Sequence, residues 1–216
     1  MDRKKATALT SLVIVIVLAA LAWFLDRDKQ PPASTPPVAT GESAAQLAAL
    51  TIAPEGKMTG YSRDRFPHWA SQGNSCDTRE IVLQKQGTNV KSDKECKAVE
   101  GTWISPYDGL TVTDAGAIDI DHTVPLAEAW RSGAAAWTDD DRKKLANDLG
   151  GSQLIAASAT TNRAKGDQDP AKWKPAVQTY WCTYSKNWIA VKSAYKLTID
   201  QAEHDALASM LTTCAP

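Results

Sequence analysis

Toward the C-terminal end, Val177, Trp181, Tyr184, Trp188, Val191 and Tyr195 recur at steps of four and three, which sets them on one face of a helix. That face is expected in the core. A second helix is expected from Asp200, whose carboxylate caps the first turn while Glu203 reaches back, with Leu207, Met210 and Leu211 turned inward. Earlier, AIDID (117–121) alternates with period two: Ile118 and Ile120 fall on one face of a strand, Asp119 and Asp121 on the other. After Pro125, LAEAWRS reads as a short helix stopped at Gly133, and TDDDRKKLAND as another, capped at Thr138 with acidic residues in its first turn. QLIAAS (153–158) suits a short strand. ATTNRAKGD then reads as a brief helix capped by Ser158 and ended at Gly166. A short helix over 44–50 opens the folded part, and Pro54 and Gly56 close it off. The centre of the chain is therefore strand, long connection, strand, helix, with no internal repeat.

A different pattern occupies the N-terminus. Arg3, Lys4 and Lys5 precede an uncharged, mostly apolar run from Ala6 to Leu25, about the 20 residues that a helix needs to cross a bilayer. The positive flank predicts that the remainder of the chain lies outside the cytoplasm. The run reads as an uncleaved anchor, or as a cleaved signal peptide with Ala20 and Ala22 at the site, although charges come soon after it, from Asp26 to Lys29. DRDKQPPASTPPVATG (26–41) is a semi-extended tether. The expected organisation is an anchor or signal over 1–25, a proline-rich linker over 26–43 and one domain over 44–216.

With 216 residues, 43% of them hydrophobic and 23% charged, the chain holds one core. A net charge of -1 argues against a protein that coats nucleic acid by bulk electrostatics, but it permits a catalyst that grips a few phosphates. Cys76, Cys96, Cys182 and Cys214 in an exported chain point to two disulfides. Three pairings are possible. Cys182 lies beside the apolar stripe of one helix and Cys214 ends the next, so an antiparallel helical hairpin favours Cys182 with Cys214, and Cys76 with Cys96. Zinc is disfavoured because no CxxC pair exists.

The chemistry gathers at Asp121-His122. Asn162 and Lys165, three positions apart on a short helix, face the same way. If the strand from Gln153 pairs with the one ending at Asp121, that helix folds back and sets Asn162 opposite the acid and the imidazole. Such a set suits a hard divalent cation, with Asp121 and Asn162 as oxygen ligands and His122 left to take a proton from water.

DIDHTVPLAEAWRSGA, KLANDLGGSQLIAAS and NRAKGDQDPAKW resemble the HNH nucleases, in particular the exported bacterial HNH proteins with DHxVPL and NRxKGD motifs. The resemblance extends to GYSRDRF, CDTRE and the cysteine-bearing helices, and so covers nearly all of the chain after the linker. It implies an α+β fold with a ββα-metal core surrounded by helices, to which the apolar run over 6–25 adds an N-terminal transmembrane helix. It also implies that Asp121 and Asn162 bind the metal, His122 is the general base, Asn147 orients the histidine through a hydrogen bond, and Lys165 contacts phosphate or stabilises developing charge. Asn162 stands where other HNH proteins have the last histidine, and Ala164 where serine is expected. The implied reaction is phosphodiester hydrolysis of DNA, with RNA as a further substrate, assisted by Mg or Mn and leaving a 5' phosphate. His122 must be neutral to act, so with a pKa near the ordinary value of about 6.5 activity falls in acid.

Other readings stand beside these. Asp119 is a second acid behind the site or a solvated strand residue. His68 and His204 read as surface residues. Arg79 and Glu80 read as a salt bridge bracing a loop, or Arg79 as a phosphate ligand. Trp130, Trp137 and Trp173 plug the core, Trp181 and Trp188 belong to the helical stripe, and Lys143 and Lys144 form a solvated face. A serine hydrolase lacks its GxSxG elbow. The rival to the nuclease is a catalytically idle, envelope-associated binding module of the same fold. No obligate protein partner is expected.

Overall fold

The computed structural model describes residues 41–214. The apolar run over 6–25 and nearly all of the linker lie outside them. Among the described residues, no helix is long and apolar enough to cross a membrane. The architecture is mixed α+β. Helix α1 (Glu42–Ala49) is followed by two short antiparallel strands, β1 (Ser71–Gly73) and β2 (Cys76–Asp77), and by α2 (Thr78–Gln86). A three-stranded antiparallel sheet comes next, β3 (Thr88–Ser92), β4 (Ala98–Ile104) and β5 (Thr111–Val112). Then come β6 (Ile118–His122), α3 (Leu126–Arg131), α4 (Asp139–Ala146), β7 (Leu154–Ser158), α5 (Ala159–Lys165), α6 (Trp181–Ala194) and α7 (Gln201–Leu211).

The caps expected from the sequence form. Thr138 accepts from the Asp141 amide, Ser158 from Thr161 and Asp200 from Glu203, and Gly166 ends α5 at φ 56°, where a side chain would be strained. Glu203 does not reach back as a capping box requires. It is buried instead, accepting from Trp188 Nε1 and from Lys192 Nζ. Lys192, itself buried on α6, also donates to Glu128 Oε1 (2.9 Å) and Ser132 Oγ (2.8 Å), so the two C-terminal helices are tied to α3 by an ionic cluster. Burial pushes the Glu203 carboxyl up to about 7. The cysteines pair as Cys76–Cys96 and Cys182–Cys214, the favoured arrangement.

The strands β6 and β7 pair antiparallel, with Asp121 opposite Ile155 and His122 opposite Leu154. Both faces of this hairpin are covered. Ile118, Ile120, Leu154 and Ala156 pack with Val82, Leu83 and Trp103 in a smaller apolar cluster, while Ala157 joins the main core of Trp130, Tyr184, Trp188 and Leu207. On the acidic face of β6, Asp121 is buried and Asp119 stays partly exposed. Gln86 of α2 closes the free edge of β7, donating to the Leu154 carbonyl and accepting from the Ala156 amide, each at 2.8 Å. Beyond His122 the buried Gln153 side chain continues the ladder, accepting from the Val124 amide (3.0 Å) and donating to its carbonyl (2.8 Å). Buried backbone groups that leave a strand need such partners, and this one fixes the bend before Pro125.

Candidate active site

A cleft of about 250 Å³ opens where β6 ends; Tyr61, Arg63, Asp121, His122, Asn162 and Arg163 are among its walls. Three of the five residues singled out by the motifs, Asp121, His122 and Asn162, therefore meet at one cavity. Lys165 and Asn147 do not line it.

Asp121 is only 5% exposed. Both its oxygens accept from Lys165 Nζ, at 2.9 Å on Oδ1 and 2.8 Å on Oδ2, and Oδ2 also accepts from the Tyr107 hydroxyl at 2.5 Å. Lys165 is fully buried and spends its third proton on the His122 carbonyl at 2.9 Å. It is not among the residues that line the cleft, and its ammonium holds Asp121. Burial raises the Asp121 carboxyl and lowers the Lys165 ammonium, each opposed by the other's charge.

The His122 ring donates through Nε2 to the Ala146 carbonyl at 3.0 Å, a group that can only accept, so the lone pair lies on Nδ1. Among the described residues Nδ1 has no hydrogen-bond partner. Asn147 does not make the expected bond to the ring. Its Oδ1 accepts from the Ala70 amide (2.8 Å) and Thr78 Oγ1 (2.7 Å), and its Nδ2 donates to the carbonyls of Pro67 (2.7 Å) and Lys143 (2.8 Å). One carboxamide thus pins residues 67 and 70, and the two between them are displayed over the site. Trp69, held at a strained φ of 58°, stacks on the His122 imidazole with 5.8 Å between centroids. His68, read from sequence as a surface residue, places its ring 6.5 Å from that of His122 and donates from Nδ1 to the Phe66 carbonyl. No local signal marks it, because the approach depends on Asn147, far along the chain.

Burial drives the His122 pKa down to about 3, a shift that the Arg63, His68 and Lys165 charges reinforce. The fall in activity expected near pH 6.5 therefore moves to much stronger acid. In stability the sign is the same: the folded value lies below the unfolded one, so the contribution is complete above about 6.5 and is lost as pH falls toward 3. To the urea-midpoint curve His122 therefore adds, over that window, a downward limiting slope of about 1.4 kcal/mol per pH unit, opposed in its upper part by Glu203, whose carboxyl is raised to about 7. The His122→Gln variant should flatten that part of the curve; equal slopes in variant and wild type would contradict the burial argument.

Asn162 reaches Asp119, not Asp121: its Nδ2 lies 3.2 Å from Asp119 Oδ2, and Arg163 Nε is 3.3 Å from the same oxygen. The donors on this wall are hard oxygens, as Mg or Mn prefer. A carboxylate has about four acceptor sites, and Asp121 spends one on Oδ1 and two on Oδ2. One remains on Oδ1, so the residues fit a cation bound through a single Asp121 oxygen. Arg79 is committed elsewhere, donating to Glu80 and to the Ala115 and Ile118 carbonyls, as a brace requires.

Residues 76–210 match the family described as GmrSD restriction endonucleases, C-terminal domain. A protein of Arthroderma benhamiae described as an uncharacterized secreted protein is 52% identical over 212 residues, covering 97% of this chain and 100% of that protein. No solved structure matches the chain.

Proposed function

The chain belongs to the family of the C-terminal domain of GmrSD restriction endonucleases, and from that premise we propose that it is a metal-dependent endonuclease acting outside the cytoplasm on DNA, with RNA as the further substrate to test. In this reading β6, β7 and α5 are the ββα-metal core of an HNH nuclease. One observation carries the proposal: an imidazole with a fixed tautomer and an Nδ1 unpartnered among the described residues shares a cleft with a carboxylate and a carboxamide able to hold a cation.

His122 acts as general base, Nδ1 taking a proton from the water that attacks phosphorus. The Ala146 carbonyl holds the ring in that tautomer and stabilises the imidazolium that forms. Trp69 stacks on the ring and restricts its rotation; Asn147 keeps Trp69 in place and so acts at one remove. Asp121 and Asn162 are the residues that would hold Mg or Mn, which when bound supplies positive charge to the phosphate. Lys165 and Tyr107 fix the Asp121 rotamer and limit it to one further bond. Both disulfides suit an oxidising compartment, in keeping with a relative described as secreted. The apolar run over 6–25 would keep the enzyme at the membrane, or release it if cleaved.

Incubation of the purified protein with supercoiled plasmid should give nicked circles in Mg or Mn and none after excess EDTA, with activity restored by adding metal back. Intact plasmid in every metal would instead favour the binding module.

A further inference from the structure

Arg63 and Arg163 line the cleft, Arg131 bonds the lining residue Asp167, and Arg65 lies two residues from Arg63; three of these four arginines are committed. Arg131 donates to Glu128 and Asp167 and lies 3.2 Å from Glu55. Arg65 sits over the Trp130 ring, 5.0 Å from its centroid, with Asp139 at 3.8 Å. Arg163 pairs with Asp119. Arg63 is different. It is exposed, it lines the cleft beside Asp121, His122 and Asn162, and among the described residues its guanidinium has no hydrogen-bond or ion-pair partner.

Its backbone is well fixed. Arg63 opens a 3-10 turn (Arg63–Arg65) capped by Ser62, the Ser62 Oγ accepting from the Asp64 amide. On one side Tyr61 packs edge-on against Trp130 (5.8 Å); on the other Phe66 is fully buried, and Arg142 Nε donates to the Arg65 carbonyl at 3.0 Å. A rigid turn therefore offers a free planar fork of donors next to the proposed general base. Such a fork matches two phosphate oxygens, whereas the buried Lys165 offers none. Arg63 stands in GYSRDRF, ahead of the residues 76–210 that match the family, and its place in the site is read from the cleft it lines.

We infer that Arg63 is the residue that grips a backbone phosphate of the nucleic acid at the mouth of the cleft and aligns it with His122. This deepens the proposed function and rests on it.

The test uses His122→Ala protein, which binds without cutting, and a short fluorescein-labelled DNA duplex monitored by anisotropy across a salt series. Adding Arg63→Gln is expected to weaken binding about tenfold and to make the logarithmic salt dependence shallower by about 1, the signature of one lost phosphate contact. Arg63→Lys should keep most of the salt dependence but not the affinity, since a point charge replaces the fork. Lys94→Gln removes the same charge from a side chain 88% exposed in the turn between β3 and β4, away from the cleft walls, and should change neither. If Arg63→Gln behaves like Lys94→Gln while wild type cuts DNA, the role of Arg63 is overturned and the nuclease reading stands. If the parent neither binds the duplex nor, as wild type, nicks plasmid, both fall together. Equal thermal midpoints for all variants keep misfolding out of the comparison.

Discussion

Plasmid nicking by the His122→Ala variant is expected to be slower by about three orders of magnitude, the middle of the range for loss of a positioned general base. The expectation rests on hydrogen bonding and position: Nε2 is consumed by the Ala146 carbonyl, and Nδ1 is the basic atom left on a residue that lines the cleft. No other group on the cleft wall combines these properties, since Asp121 is bound by Lys165 and Tyr107. The variant also removes the ring under Trp69, so its thermal midpoint must be measured beside its rate. Activity within tenfold of wild type in a folded variant would mean that another base serves, and His68 is the nearest imidazole.

The largest effect on stability is expected at Lys165. In Lys165→Met the carboxylate of Asp121 stays buried with only the Tyr107 hydroxyl to satisfy it, and breaking a buried pair from one side costs about 3–5 kcal/mol. Adding Asp121→Asn removes the stranded charge, so the double variant should be more stable than Lys165→Met alone. Urea unfolding of both singles and the double closes a double-mutant cycle; a coupling below about 0.5 kcal/mol would show that the pair contributes no stability as a pair. Nicking should be lost in every member lacking Asp121.

Much of the central hairpin and the C-terminal helices was legible in the sequence. The caps at Thr138, Ser158 and Asp200, the alternation of 117–121 and the aromatic stripe through Trp188 are local patterns that depend on neighbours only a few positions away. The elements between residues 71 and 112 were not legible: β1 is exposed throughout, β3 nearly so, and neither carries an amphipathic period. At the site, adjacency revealed Asp121 and His122, but the duties of their supports are set by distant partners. Asn147 bonds residues 77 and 80 positions away, and Lys165 meets Asp121 across 44. A lysine in an NRxKGD segment reads as a surface cation until the strand it covers is known. Glu203 shows the same limit: its spacing from Asp200 fits a capping box, yet Lys192 and Trp188 claim it.

The pairing of β6 with β7 carries a further consequence. Neighbouring residues of a strand project to opposite sides, so Asp121 turns toward Lys165 and Tyr107 while His122 turns toward Trp69 and Ala146. Sliding β6 by a single residue would exchange acid and imidazole, delivering each to the other's surroundings. The clasp of the Gln153 side chain on Val124 therefore does more than continue a ladder: by tying the end of β6 to its place beside β7, it decides which functional group meets which environment.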